Sequence, residues 1–193
     1  MTITTLGEII RHQRRERPDK VALVYASDNR KWTFVELDHE ACQCANALRE
    51  MGVEAQDRIA YVDKNTPEYF TYLFGASKLN AVTVAVNWRL AAPEMEYILH
   101  HSQAKVLLIG EEFLPLLEDI KLGLEHVVIL GDPGGSAYPS YRQWIADQPG
   151  SDPAYTADPD DTCFQLYTSG TTGLPKGVDR KSTRLNSSHT SIS

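Results

Sequence analysis

The chain alternates between segments with helical spacing of apolar residues and segments with strand-like spacing. The pattern predicts helices over residues 5–17, 33–51, 66–79, 93–101, 111–120 and 141–146, and strands over residues 21–25, 32–34, 58–62, 81–86, 105–109, 126–130 and 163–167. Residues 81–86, AVTVAV, are almost wholly apolar, which suits a strand buried on both faces of a sheet. Alternating strands and helices with short connections predict an α/β fold with a mainly parallel sheet flanked by helices.

Two of the predicted helices begin with recognisable signals. Thr33 and Glu36 have the spacing of a capping box, and Thr66 followed by Pro67 predicts a capped helix with proline in its first turn. The helix after Thr33 places small residues at helical spacing, Ala41, Cys44 and Ala45 among them. We expect that helix to pack closely on a sheet.

Composition and charge exclude several classes of protein. The formal net charge of −7, without a stripe of Lys and Arg, argues against nucleic-acid binding. The sequence has no run of 18 apolar residues, so no membrane span is predicted. The first residues also lack the apolar core of a signal peptide. The three cysteines, Cys42, Cys44 and Cys163, give no paired framework, so we interpret them as buried reduced thiols of a cytoplasmic protein. His100 and His101 close a predicted helix, where capping is favoured over metal binding.

Residues 131–160 are rich in Gly, Pro, Ser and Asp and predict loops around the short helix at 141–146. After the following strand comes Thr168–Gly177, TSGTTGLPKG. Its glycines let backbone N–H groups turn toward an anion, its hydroxyls add donors, and Lys176 adds a positive charge. The segment is not a Walker A sequence, because Pro175 stands where the second glycine of that motif belongs. The sequence therefore predicts a phosphate-binding loop.

Residues 167–178, YTSGTTGLPKGV, closely resemble the phosphate loop of the acyl-adenylate-forming (AMP-binding) superfamily. The resemblance implies activation of a carboxylic acid with ATP and Mg²⁺ to an acyl-AMP, followed by transfer to a thiol such as that of CoA. It also implies that the loop holds the β- and γ-phosphates of ATP. The implied nucleotide-binding residues are Thr168, Ser169, Gly170, Thr171, Thr172, Gly173 and Lys176.

A second stretch narrows the resemblance to fatty-acyl and related CoA synthetases. Asn87-Trp88-Arg89-Leu90, with Glu94 and Tyr97 to Leu99 after it, is similar to a stretch of those enzymes, and Gly75 to Val82 match the segment that precedes it there. For each of these side chains a purely structural interpretation stays open: Arg89 as a surface residue at a helix entry, and Trp88 as a residue that packs against the sheet. Two other functions also stay open, a non-CoA adenylating enzyme such as a peptide-synthetase adenylation domain and a non-catalytic nucleotide-binding module.

The resemblance further implies that the chain is an N-terminal piece of a longer enzyme. Residues 1–178 would be a partial AMP-binding domain that lacks the adenine, ribose, metal and acyl sites and contains no catalytic residue, so the chain alone should be inactive. Residues 179–193, DRKSTRLNSSHTSIS, change abruptly in composition. Their first eleven letters equal the translation of a common sequencing adapter, which predicts that this tail is not native.

Overall fold

A computed structural model of the chain describes residues 3–121, 123–168 and 175–182. Its strands are β1 (Val21–Tyr25), β2 (Arg30–Thr33), β3 (Arg58–Val62), β4 (Val82–Ala85), β5 (Ala104–Gly110), β6 (His126–Leu130), β7 (Thr162–Thr168) and β8 (Lys176–Lys181). Its helices are α1 (Leu6–Glu16), α2 (Phe34–Glu50), α3 (Pro67–Lys78), α4 (Ala92–Ser102), α5 (Leu116–Asp119) and α6 (Tyr141–Ala146). None of the helices in this part of the chain combines the length and the apolar content that a membrane span requires.

The main sheet has six strands in the order β6-β5-β3-β4-β7-β8. Every neighbouring pair is parallel except β7 and β8, which are antiparallel. Strands β1 and β2 form a separate antiparallel hairpin. The predicted α/β fold with a mainly parallel sheet is confirmed.

Helices bury both faces of this sheet. Ile59 and Tyr61 of β3 pack into a cluster with residues of α2, α3 and α6. Ala60 and Val62, which alternate with them, pack into a second cluster with residues of α4. A strand covered on both faces needs apolar side chains at every position, which explains the continuous apolar runs of the sequence.

The small residues of α2 allow close packing, but the close approach is to helix α3, where the sequence predicted a sheet. A Cβ atom added to Gly75 of α3 would lie 2.9 Å from the Sγ of Cys44 and 3.1 Å from the carbonyl oxygen of Ala41. The two helices therefore approach each other as closely as they do because position 75 carries no side chain.

The two predicted helix starts have different outcomes. Thr33 and Glu36 form the expected capping box at the start of α2. Thr66 does precede α3, with Pro67 in the first turn, but its side chain makes no capping hydrogen bond. Its hydroxyl lies instead 3.1 Å from the hydroxyl of Tyr61. Thr66 is thus the N-cap residue, as predicted, but its hydroxyl contacts Tyr61 of β3 and does not bond to the helix.

The predicted helix over residues 111–120 is wrong as a continuous element. The structure has a 3-10 turn at Glu111–Phe113 and the short helix α5 at Leu116–Asp119. Pro115 lies between them. A proline removes a backbone donor and clashes with the preceding turn, so one helix does not run through this position.

Candidate functional site

The antiparallel strands β7 and β8 bring the two ends of the predicted phosphate loop together. Thr168, the last residue of β7, is the register partner of Lys176, the first residue of β8. Partners in an antiparallel pair have Cα atoms about 5 Å apart. Thr168 and Lys176 are therefore neighbours, while Ser169, Gly170, Thr171, Thr172 and Gly173 lie outside the described residues.

The loop leaves the sheet at the carboxyl ends of parallel strands. Ala85 at the end of β4 pairs with Leu166 of β7, and Thr168 follows two residues later. Ligands of open α/β sheets bind at this edge, beyond the carboxyl ends of the strands. Thr168 and Lys176 are exposed there, whereas Pro175 is buried beside Lys176. The proline is thus fixed by packing while the ammonium group faces solvent.

Tyr167 fixes the base of the loop from one side. Its register partner is Gly177, and a Cβ atom at position 177 would lie 3.2 Å from the Cζ of the Tyr167 ring. The ring therefore occupies the space that a side chain at position 177 would need. Burial raises the pKa of the Tyr167 hydroxyl to about 12, so the group is protonated at neutral pH.

The last turn of α4 contacts this tyrosine. A hydrogen bond of 2.7 Å joins Nδ1 of His101 and the hydroxyl of Tyr167. The His101 ring also stacks on Tyr97, one turn earlier, with ring centroids 5.4 Å apart. His100 lies 2.7 Å through Nε2 from the carbonyl oxygen of Lys121. Both histidines thus bind groups outside α4, where the sequence favoured capping of the helix.

Strand β8 continues into the residues predicted to be a non-native tail. Asp179, Arg180 and Lys181 pair with Gln165, Phe164 and Thr162 of β7. All six residues of β8 are exposed. Their sequence has no alternation of apolar and polar side chains, so the strand depends on backbone pairing. The adapter origin of residues 179–193 stays a prediction.

A buried cluster of charges lies where α1, α2 and α3 meet the connection between α6 and β7. Lys78 is completely buried, and its Nζ lies 2.7 Å from Oδ1 of Asp38 and 2.6 Å from Oδ2 of Asp152. Arg11 donates two hydrogen bonds of 2.8 Å to the Asp152 carboxylate. Arg14 donates one of 2.9 Å to the fully buried Asp38. Oδ1 of Asp38 has no well-directed hydrogen bond, so its contact with Lys78 is an ion pair by charge alone.

This cluster does not fit a metal ion. Asp38, Cys42 and Asp152 place one potential ligand atom each within 4.8 Å of one another, and they are the only such group in the described part of the chain. The ammonium group of Lys78 already lies between both carboxylates and supplies the cation. Burial raises the pKa of Cys42 to about 11, and the thiol is therefore not the thiolate that binds metals.

In the stretch Asn87 to Leu90, which resembles CoA synthetases in sequence, Trp88 packs against another aromatic residue. Trp88 contacts Phe113 with ring centroids 5.8 Å apart. The Arg89 guanidinium lies 4.2 Å from the Trp88 ring centroid, and the Lys64 ammonium lies 5.4 Å from it. Trp88 therefore packs at the end of β4, as one interpretation held, and two cations lie over its ring.

Sequence reasoning missed the partners of the loop. His101 and Tyr167 are 66 positions apart, and no local signal links them. The ion cluster had a signal, since Asp38 and Lys78 are charged residues within otherwise apolar helix faces. Opposite charges at such positions predict a buried pair.

A parallel sheet with a glycine- and hydroxyl-rich segment at its carboxyl edge defines an α/β protein of the nucleotide-binding class. Residues 10–192 match the family described as AMP-binding enzyme, and the chain belongs to that family. The predicted superfamily is confirmed.

Several members of this family resemble the chain in detail. It is 40% identical over 153 residues to the fatty acid–[acyl-carrier-protein] ligase ScoC of Streptomyces coeruleorubidus, covering 78% of the chain and 28% of that protein. It is 34% identical over 173 residues to the long-chain-fatty-acid–CoA ligase FadD13 of Mycobacterium tuberculosis, covering 90% of the chain and 34% of that protein. The chain thus spans about a third of the length of these relatives.

A solved structure extends the similarity to the fold. The anthranilate CoA ligase AuaEII, crystallised with anthranoyl-AMP, superposes with a TM-score of 0.88 at 36% identity. The match covers 93% of this chain and 35% of that one.

Proposed function

We propose that the protein activates a carboxylic acid with MgATP and then transfers the acyl group to a thiol. A carboxylate oxygen of the acid attacks the α-phosphorus of ATP, the bond to the β-phosphate oxygen breaks, and pyrophosphate leaves. The thiol sulfur then attacks the acyl carbonyl and AMP leaves. The observation that carries the proposal is the TSGTTGLPKG segment between the paired ends of β7 and β8, in a chain of the AMP-binding family.

The loop acts on the leaving pyrophosphate. Negative charge grows on the β- and γ-phosphates as the bond to the α-phosphate breaks. The exposed Thr168 hydroxyl and Lys176 ammonium group lie at adjacent ends of the loop, where they donate to phosphate oxygens. In this proposal Ser169, Gly170, Thr171, Thr172 and Gly173 complete the set of donors. Donors placed in advance stabilise charge that develops in the transition state more than charge in the ground state.

Mg²⁺ enters this proposal with ATP as part of the substrate. The candidate ligand group in the described residues, at Asp38, is filled by Lys78, so it gives no reason to place the ion there. The reaction needs no membrane segment, and we place it in the cytoplasm because the thiols of Cys42, Cys44 and Cys163 are free and buried.

The proposed acceptor is CoA, since FadD13 and AuaEII are CoA ligases by name. The similarity to ScoC, a ligase for acyl-carrier protein, favours a carrier-protein thiol as the second candidate. Incubation of the full-length protein with MgATP, palmitate and either CoA or a phosphopantetheinylated carrier protein separates the two. Acyl-CoA as the only thioester supports the first, and acylated carrier protein as the only thioester supports the second.

Exchange of labelled pyrophosphate into ATP tests the first half-reaction. We expect the full-length protein to catalyse exchange that depends on one of palmitate, benzoate or anthranilate, and the 193-residue chain alone to catalyse none. Lys176→Met should lower the exchange rate about 100-fold, the usual cost of losing one donor to developing charge.

The control is Lys31→Met, which removes the same charge from the one exposed position of strand β2 and should leave exchange unchanged. The proposal fails if no acid supports exchange. The role of Lys176 fails if both lysine variants exchange at the rate of the parent protein.

A further inference from the structure

At the base of the phosphate loop, Tyr167 contacts His101, a residue outside the loop. Tyr167 directly precedes Thr168, and its partner Gly177 directly follows Lys176. A movement of the Tyr167 ring therefore acts on both strands that hold the loop. The hydroxyl of this ring is bonded to His101 at 2.7 Å, and the ring itself fills the space above Gly177.

His101 is held in turn by its own helix. It lies in the last turn of α4, and its ring stacks on Tyr97 at an interplanar angle of 30°. Tyr97 and Tyr167 both pack against the apolar cluster between α4 and the sheet. The ring of His101 meets that of Tyr167 edge to face, with centroids 5.7 Å apart. The contact between His101 and Tyr167 thus joins helix α4, which covers one face of the sheet, to the hairpin of β7 and β8.

We propose that His101 is a positioning residue for the two described ends of the phosphate loop, Thr168 and Lys176, which it holds in register through Tyr167. The proposal rests on the proposed function, since it concerns the binding of the ATP phosphates by that loop. His101 touches neither substrate nor reacting atoms. It limits the movement of Tyr167, and Tyr167 fixes the spacing of the strands at Thr168 and Lys176.

The glycine opposite Tyr167 is part of the same arrangement. A Cβ atom added at Gly177 would lie 3.2 Å from the Tyr167 ring, which is tighter than ordinary contact, so the ring would have to shift by a few tenths of an ångström. Gly177→Ala should therefore push the tyrosine from His101 and have the same consequence as loss of the histidine.

Four variants of the full-length protein test the proposal: His101→Leu, Tyr167→Phe, the double variant, and His101→Asn. One hydrogen bond of this kind corresponds to about a fivefold change in an equilibrium constant. We expect His101→Leu to raise the KM for MgATP in pyrophosphate exchange about fivefold, with kcat within about twofold. Tyr167→Phe should do the same, and the double variant should lose no more than either alone. His101→Asn keeps a polar atom near the position of Nδ1 and should restore the KM.

His100→Leu is the matched control. This variant makes the same substitution one residue away. In the parent protein the His100 ring bonds to the carbonyl oxygen of Lys121 and not to Tyr167. The KM of this variant should equal that of the parent protein. The proposal is overturned if His101→Leu leaves the KM unchanged, if the double variant shows the product of the two single losses, or if His100→Leu has an equal effect.

A second measurement judges the contact when activity is absent. Hydrogen exchange of the peptide spanning residues 163–178 should be about fivefold faster in His101→Leu and Tyr167→Phe than in the parent, and unchanged in His100→Leu. If the parent catalyses no pyrophosphate exchange but this pattern appears, the proposed function fails while the structural link stands. Equal hydrogen exchange in all variants overturns the positioning role.

Discussion

Replacing Lys78 with methionine removes the central cation of the buried charge cluster. The side chain of Lys78 is 0% exposed and bridges Asp38 and Asp152 at 2.7 and 2.6 Å. Burial disfavours its ammonium group, but the hydrogen bond with Asp152 and the contact with the charge of Asp38 outweigh this effect and raise the pKa of Lys78. Methionine has a similar length and no charge, so the change isolates the electrostatic contribution.

The expected loss follows from what the variant leaves behind. Removing one partner of a buried ion pair typically costs about 3–5 kcal/mol, because an unpaired charge stays buried. Asp38 retains Arg14, and Asp152 retains the two-point contact with Arg11. Because each carboxylate keeps one cation, we expect the lower end of that range, about 3 kcal/mol in the free energy of unfolding.

Urea denaturation of the 193-residue chain, followed by tryptophan fluorescence, measures this loss. The control is Lys105→Met, which removes a lysine paired with Asp57 at the surface and should change stability little. In the Lys78→Met background, Asp38→Asn removes the stranded charge and should recover part of the loss. A cost below about 1 kcal/mol for Lys78→Met, or one equal to that of the control, would show that Lys78 does not stabilise the two buried carboxylates.

The same cluster predicts a dependence of stability on pH. Burial by itself would raise the pKa of Asp152, but hydrogen bonds from Arg11 and Lys78 hold that pKa well below its usual range. The ionised carboxylate therefore stabilises the fold above the unfolded-state pKa of about 3.9, and this contribution is lost as the pH falls toward the lower folded-state pKa. Lys78→Met should lose less stability than the parent over this acidic range. An equal loss in both would contradict the assignment.

Two further predictions concern packing in the helical layer. Gly75→Ala should lower the Tm measured by calorimetry, with a net cost of about 1 kcal/mol, because the added Cβ would press on Cys44. This loss should exceed the gain from the better helix propensity of alanine. An unchanged or higher Tm would contradict the close approach of α2 and α3. The thiols of Cys42, Cys44 and Cys163 should not react with a disulfide reagent in the folded protein at mildly alkaline pH, since all three are buried and burial raises the pKa of Cys42 to about 11 and of Cys44 to about 12. All three should react in concentrated guanidinium chloride, and fast reaction in the folded state would contradict their burial.

Most of the α/β layering could be predicted from the sequence because its signals are local. The apolar run at 81–86 predicted the buried strand β4, and the pair Thr33 and Glu36 predicted the start of α2. The structure departs from the sequence prediction where a tertiary contact or a proline competes with a local helix signal. The hydroxyl of Thr66 binds Tyr61 in place of its helix, and Pro115 divides the segment that apolar spacing alone assigned to one helix.

Strand β8 shows a different limit. KGVDRK has no apolar alternation, and its exposed residues contribute little burial, so pattern analysis has nothing to detect. The strand forms because β7 offers an unpaired edge.

The candidate site divides in the same way. A phosphate-binding role for the loop could be proposed from the sequence alone, because its glycines, hydroxyls and Lys176 lie within one short segment. That His101 meets Tyr167 could not, since the contact depends on how α4 crosses the sheet.

We propose that this chain contributes the phosphate loop of an acyl-AMP-forming ligase. The most direct measurement follows the oxygen atoms of an acid labelled with oxygen-18 in its carboxylate, incubated with the full-length protein, MgATP and CoA. We expect the labelled oxygen to appear in AMP, because the carboxylate oxygen that attacks the α-phosphorus stays with it when the thiol takes the acyl group. Label in inorganic phosphate with ADP as the product, or no transfer of label to any phosphate, would contradict it.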